Sequence, residues 1–559
     1  MNARAKLLAS ELFLVLCACF FFFFYALGAF GLVGADEPRY AQIAREMLAR
    51  HDWIVPTFNG QPWLEKPVLL YWREMVAYSI FGVHGWAARL PSATFAAALV
   101  FGVFFFMRRF RYGSELDAAL ITASMAGVIG FARGASTDMQ LCAPFCVAML
   151  AWWAWHQTAR KLWLGAFYGL LGIGMLAKGP VAPGLAVLIV AAYAWVRHDG
   201  KIFVRTVWLP GFALFLAIVL PWYIAIQIKL PIFFKTFFLE QNLERFSSNL
   251  YRHSQPFWYY VPVFLLAVLP WVVFTVPALV GAVRDGIQSI RAREKLLQAA
   301  PSVTESDQLP PSQPPAQQDD ALEQFLALWT LVPIVFFSIS RSKLPGYILP
   351  SIPPAAVLTA AYLHRAQAIS RAKVMLHSLV CAVLVAGALL APWMMLRQVP
   401  PQATKTIVVA TTGIVAVFVL LVVRRGGLRL LRVATLAPLA LGLVFLLRTA
   451  SPIIDQTKSA RPIARSLEHA GAASGPVAVF NVRRDVVYGL NFYLNQTICH
   501  YEQESLPDEP ECVLPVRHVV VAREGSRDAV QALAGHRQVF SLGRYLPQHL
   551  EFFLVSNHK

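Results

Sequence analysis

Charged residues are scarce in this chain. Asp, Glu, Lys and Arg make up 14% of its 559 residues, whereas soluble domains contain roughly 25%. Hydrophobic residues make up 57%, and apolar runs close to the ~20 residues that a bilayer core requires recur from residue 11 to about residue 448. A soluble protein would need many helices that are apolar on every side, which argues against that class. The composition therefore predicts an α-helical polytopic membrane protein.

Acidic residues are scarcer than basic ones, which gives a formal charge of +18. The basic residues do not form a nucleic-acid-binding patch, because they lie in alternate connectors between the apolar runs. Those connectors contain Arg4 and Lys6; Arg108, Arg109 and Arg111; Arg160 and Lys161; Arg197, Lys201 and Arg205; Arg365, Arg371 and Lys373; and Arg424, Arg425 and Arg429. By the positive-inside rule, this alternation predicts a cytoplasmic amino terminus and an outward-facing first loop. We expect no nucleic-acid partner.

Cysteine is also scarce, with seven in the whole chain. Five lie in apolar runs, where cysteine behaves as a small hydrophobic residue. Cys499 and Cys512 lie in the carboxyl-terminal segment, which the predicted topology places outside the cytoplasm, where disulfides form. The sequence leaves open a disulfide between these two residues or two free thiols.

Hydropathy predicts about thirteen membrane spans. They lie near residues 11–33, 86–107, 115–132, 139–157, 162–177, 181–197, 207–228, 258–282, 322–340, 346–363, 374–396, 405–423 and 430–448. An odd number of spans places the carboxyl terminus outside, on the same side as the first loop. We therefore divide the chain into a transmembrane catalytic domain, 1–448, and a soluble outward-facing domain, 449–559.

Three segments of the chain differ from the apolar spans. Residues 34–85 and 229–258 mix aromatic, apolar and charged residues, which predicts outward-facing loops with interfacial helices. Residues 284–320 are rich in Pro, Ser and Gln, and we expect a disordered cytoplasmic loop there. In the carboxyl-terminal domain, strand-like runs at 477–482, 519–521 and 551–555 alternate with helix-like runs, which predicts a small α/β domain.

The first outward loop contains the chemistry-bearing residues. Asp36, Glu37 and Arg39 follow the first span directly, and Glu65 and Lys66 come later in the same loop. Charges at a membrane rim are costly to desolvate, so such a group indicates a functional site. Fixed cations beside carboxylates suit a reaction on a phosphorylated lipid. The sequence has no Walker motif and no GxGxxG opening a βαβ unit, so we expect the activated substrate to be a lipid.

Two short motifs carry a resemblance to a known family. DEPRY at 36–40 and LEKP at 64–67 resemble the GT-C integral-membrane glycosyltransferases, particularly the bacterial aminoarabinose transferases of lipid A, which are related to protein O-mannosyltransferases. The resemblance implies transfer of 4-amino-4-deoxy-L-arabinose from undecaprenyl phosphate to a lipid A phosphate, with inversion, at the periplasmic face of the bacterial inner membrane. Transfer to a protein or another glycan remains an alternative, as do a lipid transporter or flippase and a non-catalytic scaffold.

The resemblance and the chemistry together assign roles to individual residues. Asp36 is expected to be the general base for a hydroxyl acceptor, or to orient the substrates if the nucleophile is already a phosphate. Asp138 is the second expected catalytic residue, stabilising the sugar or its amino group. Lys66, Arg252 and the Tyr347 hydroxyl are expected to bind the departing phosphate. The remaining expected substrate-binding residues are Arg39 for the acceptor phosphate, Glu37, Tyr40, Arg133 and Lys343.

Each assignment has a structural alternative. Asp36 or Glu37 would cap the helix that begins near Pro38, and Arg133 would pair with Asp138. Lys66 and Arg252 would anchor lipid headgroups, and Tyr347 would belong to an aromatic belt. Glu65 and His253 would hold a structural zinc ion or bridge the two outward loops. The chemistry itself requires no cofactor, and we expect a monomer surrounded by membrane lipids.

Overall fold

The computed structural model describes residues 3–238, 255–299, 315–365, 370–472, 475–501 and 514–557. Arg252, His253 and Cys512 lie outside these ranges, so the predictions made for them stay predictions. Cys499 is disulfide-bonded, while Cys512, the partner that the sequence suggests, lies outside the described residues.

Within the described residues, seventeen α-helices precede the carboxyl-terminal domain and form the membrane-embedded body and its rim. They are α1 Ala3–Cys19, α2 Asp36–Ala49, α3 Leu69–Phe81, α4 Gly85–Phe110, α5 Glu115–Ser124, α6 Ala126–Ala132, α7 Thr137–Thr158, α8 Lys161–Lys178, α9 Val181–Val196, α10 Gly200–Thr206, α11 Leu209–Lys229, α12 Tyr260–Ala267, α13 Val272–Ala299, α14 Pro315–Ile339, α15 Ile352–Arg365, α16 Arg371–Leu396 and α17 Gln402–Thr449. A short hairpin of β1 Thr57–Phe58 and β2 Gln61–Pro62 separates α2 from α3.

The polytopic membrane class is confirmed. Within the described residues, eight helices are long and apolar enough to cross a membrane, and the bent pair α5 and α6 raises that number to nine. The eight are Arg4–Phe24, Gly85–Phe110, Leu209–Lys229, Ala321–Ile339, Pro345–Arg365, Arg371–Leu396, Gln402–Arg424 and Leu430–Thr449. The last two are the halves of α17, which is kinked at Gly427. Thirteen spans remain a prediction, because several other predicted spans coincide with shorter, broken or less apolar helices.

The predicted disorder over residues 284–320 is wrong where the structure describes that segment. Helix α13 continues to Ala299, and α14 begins at Pro315. The physical reason is composition: residues 284–299 alternate Ile and Leu with Arg, Glu, Lys and Gln, which are favourable residues in a helix. Residues 300–314, which hold most of the prolines, lie outside the described ranges.

The carboxyl-terminal segment forms the predicted small α/β domain. Its elements are α18 Ser451–Lys458, α19 Arg461–His469, β3 Val477–Phe480, α20 Arg484–Leu494, β4 Cys499–His500, β5 His518–Arg523, α21 Arg527–Ala534, β6 Gln538–Tyr545 and β7 Leu550–Ser556. The sheet order is β4-β3-β5-β7-β6, with β3 parallel to β4 and β5. Alternate residues of the central strands face opposite sides, so α19 and α20 cover one face and α21 the other.

The domain is hydrogen-bonded to the segment that precedes α2. Asp455 Oδ1 accepts a hydrogen bond from the Gly31 amide at 2.7 Å, and Tyr493 Oη accepts one from the Leu32 amide at 2.7 Å. An isolated β-bridge joins Val33 to Ser459. Three consecutive residues just before the first charged motif are therefore held by the carboxyl-terminal domain.

Candidate active site

Asp36 opens α2 and points into solvent. Its side chain is 64% exposed, and Oδ1 accepts a hydrogen bond from Arg39 Nη2 at 2.6 Å. The predicted capping role is wrong, because Ala35 is the N-cap residue and the cap has no side-chain hydrogen bond. A carboxylate in the first turn still interacts favourably with the helix dipole. Asp36 is thus an exposed carboxylate held in place by one cation.

Arg39 is enclosed by aromatic rings. Its guanidinium carbon lies 4.6 Å from the Trp63 ring centroid and 5.7 Å from that of Tyr488, distances typical of cation–π contacts. Nη2 also lies 3.9 Å from Glu65 Oε2. Burial alone would lower the pKa of Arg39, but Tyr40, Glu65 and Asp36 more than offset this and raise it. The carboxyl-terminal domain, through Tyr488, therefore forms part of the wall of this site.

Glu37 is held by four hydrogen bonds at the rim, and its predicted substrate-binding role stays a prediction. Its two carboxylate oxygens accept hydrogen bonds from Arg89 Nε and Nη2 at 3.1 and 2.7 Å, from the Val33 amide at 2.9 Å and from the Ala135 amide at 2.9 Å. Arg89 is only 1% exposed. It also donates to three backbone carbonyls after the first helix, those of Leu27, Phe30 and Gly31. These four N–H donors occupy the lone pairs of both Glu37 oxygens. The carboxylate therefore links the segment before α2, helix α4 and the connector before α7.

Asp138, in the first turn of α7, pairs with Lys178 at the end of α8. Lys178 Nζ donates to Asp138 Oδ1 and lies 5.0 Å from the centroid of the Tyr347 ring. The predicted pairing of Arg133 with Asp138 is therefore wrong. Sequence reasoning assigned no role to Lys178, although a lone basic residue ending an apolar helix on the outward side was an available signal.

Arg133 and Lys343 bind backbone instead of the cluster. Arg133 donates to the carbonyl oxygens of Phe22 and Ala26 at 3.3 and 3.2 Å. Lys343 is buried, and its ammonium donates to the Ser340 carbonyl at 2.5 Å, just beyond the end of α14. The physical reason is the same for both: backbone carbonyls near helix ends attract cations. Their predicted substrate-binding roles are not supported by this geometry.

The other predicted residues within the described ranges come together around one cleft. It is lined by Asp36, Arg39, Tyr40, Glu65, Lys66, Ser136, Thr137, Asp138, Lys178, Leu344 and Tyr347. Lys66 Nζ donates to the Glu65 carbonyl at 3.2 Å, and the Tyr40 side chain is buried. Three carboxylates, three cations and two tyrosines, drawn from five parts of the chain, thus share one small volume.

Zinc binding by Glu65 and His253 stays a prediction, because His253 lies outside the described residues. Glu65 offers one carboxylate, which already lies near Arg39. Within the described ranges, no group of three or more His, Cys, Asp or Glu side chains is placed to hold a metal ion. Two protein ligands alone would leave half of a four-coordinate zinc site to other donors.

Replacing Gly346 with Ala tests the placement of Asp138. A Cβ atom at Gly346 would lie 2.5 Å from Asp138 Oδ1 and 2.6 Å from its Cγ, so the carboxylate must turn away from Lys178. We expect normal folding with at least about a tenfold loss of activity, because misplaced catalytic groups are costly. Steady-state kinetics of the purified variant would check this. Gly184→Ala is the matched control, since nothing lies within 4 Å of its added methyl group, and equal activity of the two variants would contradict the prediction.

Glu74 in α3 provides a test based on pH. Its side chain is fully buried, and neither carboxylate oxygen has a hydrogen-bond partner among the described residues. Burial, with a smaller contribution from Glu37, raises its pKa well above 4.5. Above pH 4.5 the unfolded chain therefore releases a proton that the folded protein keeps, so this residue lowers stability by up to about 1.4 kcal/mol per pH unit. Glu74→Gln should gain thermal stability over the wild type as pH rises from 5 to 8; a constant difference would contradict this.

Comparisons with known proteins agree with the fold and the motifs. Residues 9–238 match the family described as dolichyl-phosphate-mannose-protein mannosyltransferase. An undecaprenyl phosphate-α-4-amino-4-deoxy-L-arabinose arabinosyl transferase from Serratia proteamaculans is 33% identical over 399 residues, covering 68% of this chain and 66% of that protein. A second transferase of that name, from Pseudomonas fluorescens, is 31% identical over 386 residues, covering 68% and 60%. The matched region thus spans just under two thirds, or less, of these relatives.

The structural match extends over the whole chain. The crystal structure of ArnT from Cupriavidus metallidurans bound to undecaprenyl phosphate superposes with a TM-score of 0.77, at 24% identity, covering 99% of this chain and 98% of that one. This chain therefore has the fold of the GT-C integral-membrane glycosyltransferases. Within that class, its resemblance to the bacterial aminoarabinose transferases is confirmed.

Proposed function

We propose that this protein is a glycosyltransferase that moves 4-amino-4-deoxy-L-arabinose from undecaprenyl phosphate to a phosphate of lipid A. The observation that carries the proposal is the cleft in which Asp36 and Arg39 share one lining with Asp138, Lys178, Lys66 and Tyr347. Support for the donor comes from the Cupriavidus protein, which is bound to undecaprenyl phosphate, and from the names of the relatives in Serratia and Pseudomonas.

The reaction is a displacement at the anomeric carbon of the sugar. An acceptor oxygen forms a bond to this carbon while the bond to the phosphate oxygen of the donor breaks, and the bonding electrons leave on undecaprenyl phosphate. Attack from the face opposite the departing phosphate inverts the configuration. The largest demand is stabilisation of negative charge on the departing phosphate, which cations meet most effectively in a desolvated cleft.

The cleft offers groups for each of these demands. Lys66 and, by prediction, Arg252 bind the departing phosphate, with the Tyr347 hydroxyl as a neutral donor. The ammonium of Lys178 offers a further cation in the same lining, and its partner Asp138 faces the sugar or its amino group. Arg39, close to Asp36, binds the acceptor phosphate.

The role of Asp36 depends on the acceptor. A hydroxyl acceptor has a proton to lose, and Asp36 then serves as the general base. A lipid A phosphate is already anionic, and Asp36 then orients the donor or the acceptor. Its exposure and its single ion pair with Arg39 suit either role.

The proposed setting is the periplasmic face of the bacterial inner membrane. In this arrangement the amino terminus is cytoplasmic, and the catalytic cleft and the carboxyl-terminal domain are periplasmic. The attachment of that domain to residues 31–33 supports a common side for the cleft and the domain. We propose that the enzyme acts as a monomer.

Lys66→Ala should weaken the binding of undecaprenyl phosphate. A charge-assisted bond to phosphate contributes about 1.5–3 kcal/mol, so we expect roughly a 10- to 150-fold rise in the dissociation constant. Titration of the lipid into purified protein, followed by native mass spectrometry, would measure it. Lys458→Ala is a control, since Lys458 lies outside the cleft lining. An unchanged dissociation constant would instead support the alternative in which Lys66 anchors a lipid headgroup.

Mass spectrometry of lipid A and of periplasmic proteins, from cells with and without this protein, tests the proposed donor and acceptor together. The proposal requires a mass gain of one aminopentose on lipid A. A gain on proteins or another glycan would support the alternative acceptors. A lipid flux in sealed vesicles without any glycosylated product would support a transporter instead.

A further inference from the structure

A second cleft lies where the carboxyl-terminal domain meets the membrane-embedded body. Its volume is about 350 Å³, and no residue in its lining also lines the catalytic cleft. One side is formed by residues 28–31 and 83–86, and the other by α19 of the carboxyl-terminal domain. We call it the junction cleft.

The junction cleft lies beside the ends of two candidate membrane spans. Residues 28–31 follow closely on the span Arg4–Phe24, and Gly85 begins the span Gly85–Phe110. Helix α3, which ends just before residues 83–86, exposes the apolar side chains of Val76, Ile80 and Phe81. Exposed apolar residues on a short rim helix are typical of helices that lie in the membrane interface.

The charge in the junction cleft is mainly positive. Three arginines line it, against one lining carboxylate, that of Glu468. Arg461 is already matched, since it donates to Asp455 Oδ2 at 2.8 and 3.1 Å and to the Gly28 carbonyl at 3.2 Å. The other two arginines, Arg45 and Arg465, have no carboxylate within 4 Å among the described residues.

Arg45 is the most informative of the three. It lies in α2, where Nη1 donates to the carbonyl of Phe492 at 2.8 Å, and the described residues offer it no other hydrogen bond. Burial lowers its pKa, and no neighbouring carboxylate counteracts this. A half-buried cation without a counter-ion is costly, and an anion bound beside it would remove that cost. Arg465 is exposed and available on the opposite wall.

From this geometry we propose that the junction cleft binds the phosphate group of an anionic membrane lipid, outside the catalytic cleft. Guanidinium groups match phosphate oxygens through paired N–H donors. His84 and Trp86, whose rings stack with centroids 6.1 Å apart, add a flat surface beside the cations for the rest of the headgroup. A lipid held between Arg45 and Arg465 would connect α2, the helix of Asp36, to the carboxyl-terminal domain.

The test measures binding by delipidated, detergent-purified full-length protein. The probes are a short-chain phosphatidylglycerol and inorganic phosphate, followed by native mass spectrometry and by tryptophan fluorescence. Arg465→Glu reverses a charge at an exposed side chain that makes no hydrogen bond, so it should fold normally. Arg527→Glu makes the same change in the same domain away from the cleft and is the matched control.

We expect Arg465→Glu to raise the dissociation constant for phosphatidylglycerol at least about tenfold, and Arg45→Gln to raise it as well, while Arg527→Glu leaves it unchanged. Binding by the wild type should weaken with added salt. Displacement of the lipid by millimolar inorganic phosphate would support the phosphate site and assign it to a free phosphate. Equal binding by Arg465→Glu and Arg527→Glu, or no saturable binding by the wild type, would overturn the proposal.

Discussion

Asp36→Asn should reduce turnover by about 10²–10⁴-fold while leaving the protein folded and able to bind donor, because a group that orients the reactants or accepts a proton contributes about this much. The carboxylate lines the catalytic cleft, is 64% exposed and has one ion-pair partner, Arg39. Asn keeps the shape of the side chain but loses the charge-assisted bond with Arg39 that holds it in place, and for a hydroxyl acceptor it also cannot accept the proton. The loss should therefore be found in kcat, with KM for the donor nearly unchanged.

Asp528→Asn is the matched control for Asp36→Asn, because Asp528 is an exposed aspartate in the first turn of α21. Its turnover and unfolding temperature should equal those of the wild type. Retained turnover in Asp36→Asn would remove this residue from the mechanism. Loss of donor binding in that variant would assign it to substrate binding instead.

Glu37→Gln should lower the free energy of unfolding by about 3–5 kcal/mol, the usual cost of removing one partner of a buried ion pair. Arg89 is 1% exposed, and the variant leaves its charge without the two charged oxygens it now contacts. The amides of Val33 and Ala135 would lose part of their acceptor strength as well. Denaturant unfolding of the purified protein in detergent would measure the loss.

Two further variants test whether the loss of stability comes from breaking this buried ion pair or from removing any charge. Glu524→Gln breaks an exposed pair with Arg544 and should cost no more than about 1 kcal/mol. Glu37→Gln combined with Arg89→Gln removes both buried charges, so it should be less destabilising than the sum of the two single changes. A Glu37→Gln protein of wild-type stability but with lost substrate binding would restore the role that its sequence suggested.

The neighbouring carboxylates show how far the sequence predicts this site. The sequence indicated Asp36 and Glu37 alike as site residues, because both are charged and directly follow the first predicted span, at the membrane rim. Sequence alone could not separate them, since Arg89 lies 52 positions from Glu37 and meets it only through the fold. The same reason explains Asp138, which pairs with Lys178 instead of its near neighbour Arg133.

Hydropathy and composition predicted the membrane body and the carboxyl-terminal α/β domain, because apolar runs and alternating strands are local signals. Strands β4 and β6 of that domain were missed, since Cys499–His500 is only two residues long and the pairing of β6 is interrupted by a register shift between Ser541 and Gly543. The attachment of the domain to residues 31–33 could not be predicted from the sequence either, because its hydrogen bonds join residues more than 400 positions apart.

The most direct test of the proposed function is reconstitution of the purified full-length protein in lipid nanodiscs. Undecaprenyl-phosphate-linked aminoarabinose, labelled in the sugar, would be supplied with lipid A, and both lipids would be analysed by mass spectrometry. We predict that the label appears on lipid A together with an equal amount of free undecaprenyl phosphate, and that Asp36→Asn forms both products at least about a hundredfold more slowly. An intact donor and unlabelled lipid A after incubation with the wild-type protein would contradict the proposal.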